Sequence, residues 1–238
     1  MHHDRSCERS SYALRYASDT LRDDEHVVLE ALHQNALALK KASKALQNKN
    51  HIVIEAVSQN GYALRYASDA LRNDKCIVLE AVRRKGLALE EASEALQNEK
   101  CIVTEAIRQN SYALHYASCA LRNDKCIVLE AVRLNGLSLR FASEAMRNEK
   151  CVVVTALRDN GYALAYASDA LRNDKRIVLE AVNMLGFCPK RGEEVMTDYR
   201  PNTDLEHDPN IKLLSKLRSM ENSQANRSFA FHLKSKIT

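Results

Sequence analysis

Six potential metal ligands recur at a single spacing: His26, His51, Cys76, Cys101, Cys126 and Cys151 stand 25 residues apart. Imidazole and thiolate are the donors that zinc takes, and paired thiols can oxidise to disulfides. Geometry argues against both. Helices packed side by side keep their axes ~8–10 Å apart. Zinc draws its ligand atoms to ~2.0–2.3 Å from one ion, and a disulfide needs Cα atoms within about 7 Å. The ladder therefore reads as one position copied by duplication, and neither a metal nor any other cofactor is expected.

The other reactive side chains repeat in the same way. Serine recurs at Ser18, Ser43, Ser68, Ser93, Ser118, Ser143 and Ser168, with no His or carboxylate uniquely placed to activate one of them. Tyrosine pairs fall at 12/16, 62/66, 112/116 and 162/166. Tyr16, Tyr66, Tyr116 and Tyr166 are either a stacking ladder for bases or a peptide, or half-buried seam residues with wet hydroxyls. Glu80 with Arg83, repeated as Glu105/Arg108 and Glu130/Arg133, reads as i, i+3 pairs on a solvated helix face. The sequence contains no phosphate-binding glycine loop, no HExxH and no CxxC. An active site is an asymmetric constellation, whereas here every candidate is copied several times. The chain is expected to be non-catalytic.

The unit that positions these residues is clearest at Gly61–Lys85, which matches Ser111–Asn135 at 20 of 25 positions. Seven such units run from residue 11 to residue 186, and a fixed period of this size marks a solenoid. The unit reads as two short helices. Leu64, Ala67 and Leu71, with Ala63 and Ala70 beside them, form the buried stripe of the first, and Arg65, Asp69 and Arg72 lie opposite. Ile77, Val78, Ala81 and Val82 form the buried stripe of the second. Asn73 is expected to end the first helix in a left-handed turn, as Gly61 and its counterparts end the second, and Asp74 to start the next. Helices this short are marginal alone in water, so each unit must bury its stripe against its neighbours. Alanine at the seventh position, as at Ala67 and Ala117, allows close approach.

A longer period is superimposed. Gly61–Lys85 matches Gly86–Asn110 at only 15 of 25 positions, so the block is about fifty residues and tyrosine pairs mark alternate units. The expectation is an all-α solenoid of seven tandem 25-residue two-helix units. In this pattern, G-x-A-L-x-[YF]-A-S-x-x-L-[RQ]-N-D-x-x-[IV]-V-x-x-A-V from Gly61 to Val82, the chain resembles the helical repeat family catalogued as domain of unknown function 4116. The resemblance covers about three-quarters of the chain and supplies no catalytic residue. It implies an interaction protein of the kind found in bacteria that live inside eukaryotic cells, in protists and in large DNA viruses, including an effector delivered into a host.

Composition narrows the partners. Basic residues number 35 and acidic residues 31, for a net charge of +4, and nine basic against seven acidic residues place +2 of it after Phe187. The nearly neutral repeats give weak support to binding a phosphate backbone. No apolar run is long enough to span a bilayer, the first residues lack the apolar core of a secretory signal, and seven repeat-phased cysteines fit a reducing, cytosol-like compartment. Residues 1–10 are expected to be a cap or disordered. Residues 187–238 are expected to be a linker, one amphipathic helix after Asp208 and a disordered tail.

A duplicated scaffold holds its packing positions and is free to vary its surface. The fifth position varies as Arg15, Lys40, Arg65, Glu90, His115, Arg140 and Ala165, and the ninth as Asp19, Lys44, Asp69, Glu94, Cys119, Glu144 and Asp169. These residues are either the reading face for a partner or neutral drift of a solvent face. The expected function is a protein-interaction scaffold that holds a helix, loop or peptide along one face. The alternatives are RNA binding by one nucleotide per repeat and regulation of a partner enzyme.

Overall fold

The computed structural model describes residues 14–185. Within them the chain is a two-layered all-α solenoid, and no strand occurs among the described residues. Each 25-residue unit has three helical segments. In the unit beginning at Gly61 these are a 3-10 helix Gly61–Tyr66, a one-turn α-helix Asp69–Arg72 and a ten-residue α-helix Lys75–Arg84. The next unit repeats them as Gly86–Glu91, Glu94–Gln97 and Lys100–Gln109. The long helices stack on one another in chain order and the 3-10 segments do the same, each lying between the long helix before it and the one after it.

The first of the two expected helices is therefore interrupted, and the Ala-Ser pair is the reason. Ala67 (φ −69°, ψ 157°) and Ser68 (φ −63°, ψ 158°) are both extended. The Ser68 hydroxyl accepts from the Leu71 N–H at 3.4 Å, which makes it the N-cap of the one-turn helix. The same hydroxyl donates to Asn48 Oδ1 of the preceding unit at 2.6 Å, and the Ser68 N–H donates to the Gln47 carbonyl at 2.9 Å. Ser93, Ser118, Ser143 and Ser168 repeat this arrangement on Asn73, Asn98, Asn123 and Asn148. A ladder of polar bonds thus ties every unit to the one before it along one edge.

The twelfth position closes the 3-10 layer. Gln47 Nε2 donates to the Leu39 and Ala42 carbonyls, and Gln97 Nε2 to those of Leu89 and Ala92. The Ala42 and Ala92 carbonyls, at the break after the 3-10 segment, gain a donor in this way, while those of Leu39 and Leu89 also accept from the backbone N–H groups of Ala42 and Ala92.

Two expected turns take another form. No residue among those described has positive φ, glycine included. Asn73 sits at φ −103°, ψ 5°. Asn60 ends the preceding helix in an extended conformation, and its Oδ1 accepts from the Tyr62 N–H to start the 3-10 segment. Gly61 is small because of contact rather than conformation: a Cβ there would stand 2.3 Å from the Ala81 carbonyl oxygen. Asp74 does cap the long helix, accepting from the N–H groups of Cys76 and Ile77.

The core follows both stripes with one exception. Leu64, Ala67, Leu71, Ile77, Val78, Ala81 and Val82 are all buried, whereas Ala70, on the one-turn helix, faces solvent. The break after Tyr66 resets the helical phase, so a residue that shares the stripe of a continuous helix is turned outward. Each buried Ile or Val contributes roughly 1.5–3 kcal/mol, supplied mostly by neighbouring units.

Candidate interaction surface

The fifth and sixth positions occupy the outer part of the 3-10 layer, where consecutive units interlock. Lys40 Nζ lies 5.8 Å from the centre of the Tyr66 ring, and Arg65 Nε lies 3.6 Å from Glu91. The His115 ring is 4.9 Å from that of Phe141 and 5.0 Å from that of Tyr116. In the Lys40–Tyr66, Arg65–Glu91 and His115–Phe141 contacts the fifth residue of one unit reaches the sixth residue of the next. Row and register are set by the stacking of the 3-10 segments, which no short-range pattern reveals.

The chemistry of this row changes along the array. Between the units starting at Gly61 and Gly86 it is charged: Glu91 receives Arg65 and, at 3.9 Å, Arg72. In the units starting at Ser111 and Gly136 it becomes aromatic and cationic. Tyr112 meets Phe141 edge-on at 5.8 Å, and Arg140 stands over the Phe141 ring at 4.5 Å. Phe141 is itself buried. Partial desolvation against the neighbouring rings holds the exposed His115 imidazole below its ordinary range, reinforced by Arg122 and Arg140 and partly offset by Glu90. This cluster was not legible beforehand. The signal that could have found it is Phe141, the single sixth-position residue outside the tyrosine units that is aromatic.

The remaining candidates are placed as follows. Arg15, Lys40, Arg65, Glu90 and His115 are exposed and Arg140 is half-buried. Tyr16 is exposed, whereas Tyr66, Tyr116 and Tyr166 are partly buried against the core. Asp19, Asp69 and Asp169 lie on the one-turn helices and pair with Arg22, Arg72 and Arg172 three residues on. Glu94, Glu144 and Cys119 are exposed at the same position, and the Arg122 guanidinium reaches Cys119 Sγ at 3.2 Å. Arg72 bonds to both Asp69 and Glu91 and so links the edge row to the 3-10 row.

The long-helix layer carries ladders of its own. The arginine pairs do not run i, i+3 as expected. Arg83 meets Glu105, Arg108 meets Glu130 and Arg158 meets Glu180, at 4.0, 3.3 and 3.8 Å, each across a unit boundary. Stacked helices bring these side chains closer than one turn of a single helix does. A second ladder joins Lys75 to Glu99, Lys100 to Asp124, Lys125 to Glu149 and Lys150 to Asp174. The lysines hold Glu99, Asp124 and Glu149 below the usual carboxylate range. Cys76, Cys101, Cys126 and Cys151 are exposed free thiols beside this ladder, and Cys101 donates to Glu99 at 3.4 Å.

These features define a class: an all-α solenoid of tandem repeats with an invariant seam and a variable face. The sequence also matches the family model described as Domain of unknown function (DUF4116), over residues 5–47, 51–97, 99–147 and 150–189. The chain belongs to that family. Four matches, beginning at residues 5, 51, 99 and 150 and so 46 to 51 residues apart, agree with the double period that alternates tyrosine units with the others. No curated protein and no solved structure matches the chain. Among the described residues no helix is long and apolar enough to cross a membrane.

Proposed function

We propose that the chain is a non-catalytic protein-interaction scaffold that holds its partner along the outer 3-10 face, in a reducing compartment such as the cytosol of its own cell or of a host. The observation that supports this reading is the contrast between positions. The serine, asparagine and apolar residues of the seam repeat nearly unchanged, while the fifth and sixth positions, stacked into one continuous row, differ from unit to unit. The cluster of His115, Tyr116, Arg140 and Phe141 combines aromatic rings with an arginine, the composition of interface anchors. The ninth-position row, acidic except at Lys44 and Cys119, disfavours a nucleic-acid phosphate backbone.

The test is affinity capture on the immobilised full chain, comparing wild type with the double variant His115→Ala/Arg140→Glu and the control Arg83→Ala on the long-helix layer. Loss of two anchors should weaken retention of the captured partner at least ~10-fold, equivalent to about 1.4 kcal/mol, while the control retains it. Equal retention by all three would refute the assignment of this face. Retention on heparin that falls with salt would favour the nucleic-acid reading instead.

A further inference from the structure

The two ends of the described array fit each other. At interior seams the seventeenth and twenty-first positions are closed, as in Ile77 (1% exposed) and Ala81 (0%), and so is the eleventh, as in Leu71 (6%), except at the partly buried Met146. In the first unit they are open: Leu21 is 46% exposed and Val27 and Ala31 are partly exposed, while Val28 and Leu32 remain at 0%. At the other end the pattern inverts. Ile177 and Ala181 are buried, while Leu164, Leu171 and Val178 are half-open. Positions seventeen and twenty-one therefore face the preceding unit, and positions four and eighteen face the following one.

The hydrogen-bond ladder has the same polarity. Every interior serine donates backward, to a carbonyl and to a side-chain oxygen of the preceding unit. The Ser18 N–H meets no acceptor among the described residues, and its hydroxyl turns to Thr20 Oγ1 at 2.7 Å. At the opposite end Asn173 is exposed at the position whose carboxamide accepts the serine hydroxyl at interior seams. The first unit thus offers donors and an apolar cleft lined by Leu14, Tyr16, Ala17, Leu21, Val27 and Ala31. The ten residues ahead of this unit, Met-His-His-Asp-Arg-Ser-Cys-Glu-Arg-Ser, carry one large apolar side chain, Met1, against these six residues of the cleft.

We infer that the cleft is covered by a second copy of this chain. The unit beginning at Gly161 in one copy stacks on the unit containing Leu21 in the next, continuing the seam that joins units within a chain. Such a contact is heterologous and does not close, so copies add in open rows.

Sedimentation velocity or light scattering on the full chain tests this. Wild type should show a mass above that of one chain that keeps rising with concentration. Leu21→Arg, which disables one end, and Leu171→Arg, which disables the other, should each be monomeric alone. Mixed, they retain one intact end apiece and should form a dimer and stop there. If circular dichroism shows either variant to be misfolded, Tyr16→Glu replaces the first and Val178→Glu the second. A wild type that stays monomeric at every concentration, as when the chain's own residues after 186 cover an end, overturns the inference. A dimer that survives Leu171→Arg but not Leu21→Arg overturns it in favour of a symmetric contact between two N-terminal ends.

Discussion

The serine ladder gives the sharpest test of how this solenoid is held together. Ser118 lies in an interior unit and its hydroxyl has two roles. It accepts from the Leu121 N–H at 3.2 Å and donates to Asn98 Oδ1 at 2.6 Å. Ser118→Ala removes both bonds and leaves intact the backbone bond from residue 118 to the Gln97 carbonyl. Loss of an N-cap costs about 1 kcal/mol, and loss of the cross-unit bond adds roughly 0.5–1.5 kcal/mol. The lower end of that range applies because Asn98 is exposed and its oxygen can rehydrate. The expected destabilisation is therefore about 1.5–2 kcal/mol, read as a fall in urea midpoint at unchanged slope. Ser18→Ala is the internal control. Its cap bond to Leu21 is longer, at 3.4 Å, and its hydroxyl bonds within its own unit to Thr20 rather than to a preceding one. It should cost the cap alone, about 1 kcal/mol, when measured at low protein concentration. A double-mutant cycle with Asn98→Ala should return a coupling of roughly 0.5–1.5 kcal/mol. Equal costs for Ser118→Ala and Ser18→Ala, with no coupling to Asn98, would refute the view that the ladder stabilises the stack.

Three further outcomes follow from the same geometry. Gly86→Ala sets a Cβ 2.4 Å from the Ala106 carbonyl oxygen and 2.9 Å from the Asn110 nitrogen; overpacking costs ~1–3 kcal/mol. The low end is expected, because Ala36 and Ser111 carry a Cβ at the same position, and a rise in thermal midpoint would count against the close-contact explanation. Ala117→Leu, at a buried seventh position, should destabilise by ~1–3 kcal/mol; a thermal shift no larger than that of an exposed-site control would sink the packing account. The third concerns acid. Glu25, Glu99, Asp124, Glu149 and Asp174 all lie below their ordinary values. Such groups favour the folded state above the unfolded carboxylate pKa of about 4, and that contribution is lost as pH falls through the lower folded values. Urea midpoints should thus fall below about pH 4, and less steeply for Glu99→Gln/Glu149→Gln; superimposable profiles would exclude the lysine–carboxylate ladder as the cause.

Much of this architecture was legible in the residues themselves. A 25-residue period, the burial of Leu64, Ile77, Val78 and Val82 and the cap at Asp74 depend on interactions within one turn or on apolar periodicity, and local sequence encodes both. The doubling to fifty residues was likewise written in the alternation of Tyr62/Tyr66 with Leu87/Glu91. Contacts across units were not legible, because they join residues 20 to 26 positions apart whose meeting depends on how the stack is registered. Tertiary structure alone decided that Ser68 reaches Asn48, that Arg83 seeks Glu105 rather than Glu80, and that Gly61 is small to clear the Ala81 carbonyl. It also turned Ala70 outward, since two extended residues at Ala67 and Ser68 reset the helical phase that periodicity assumes continuous. The candidate surface divides the same way. Sequence marked Arg65, His115 and Arg140 as the places where units differ, and stacking of the 3-10 layer gathered His115 and Arg140 with Tyr116 and Phe141 into one patch.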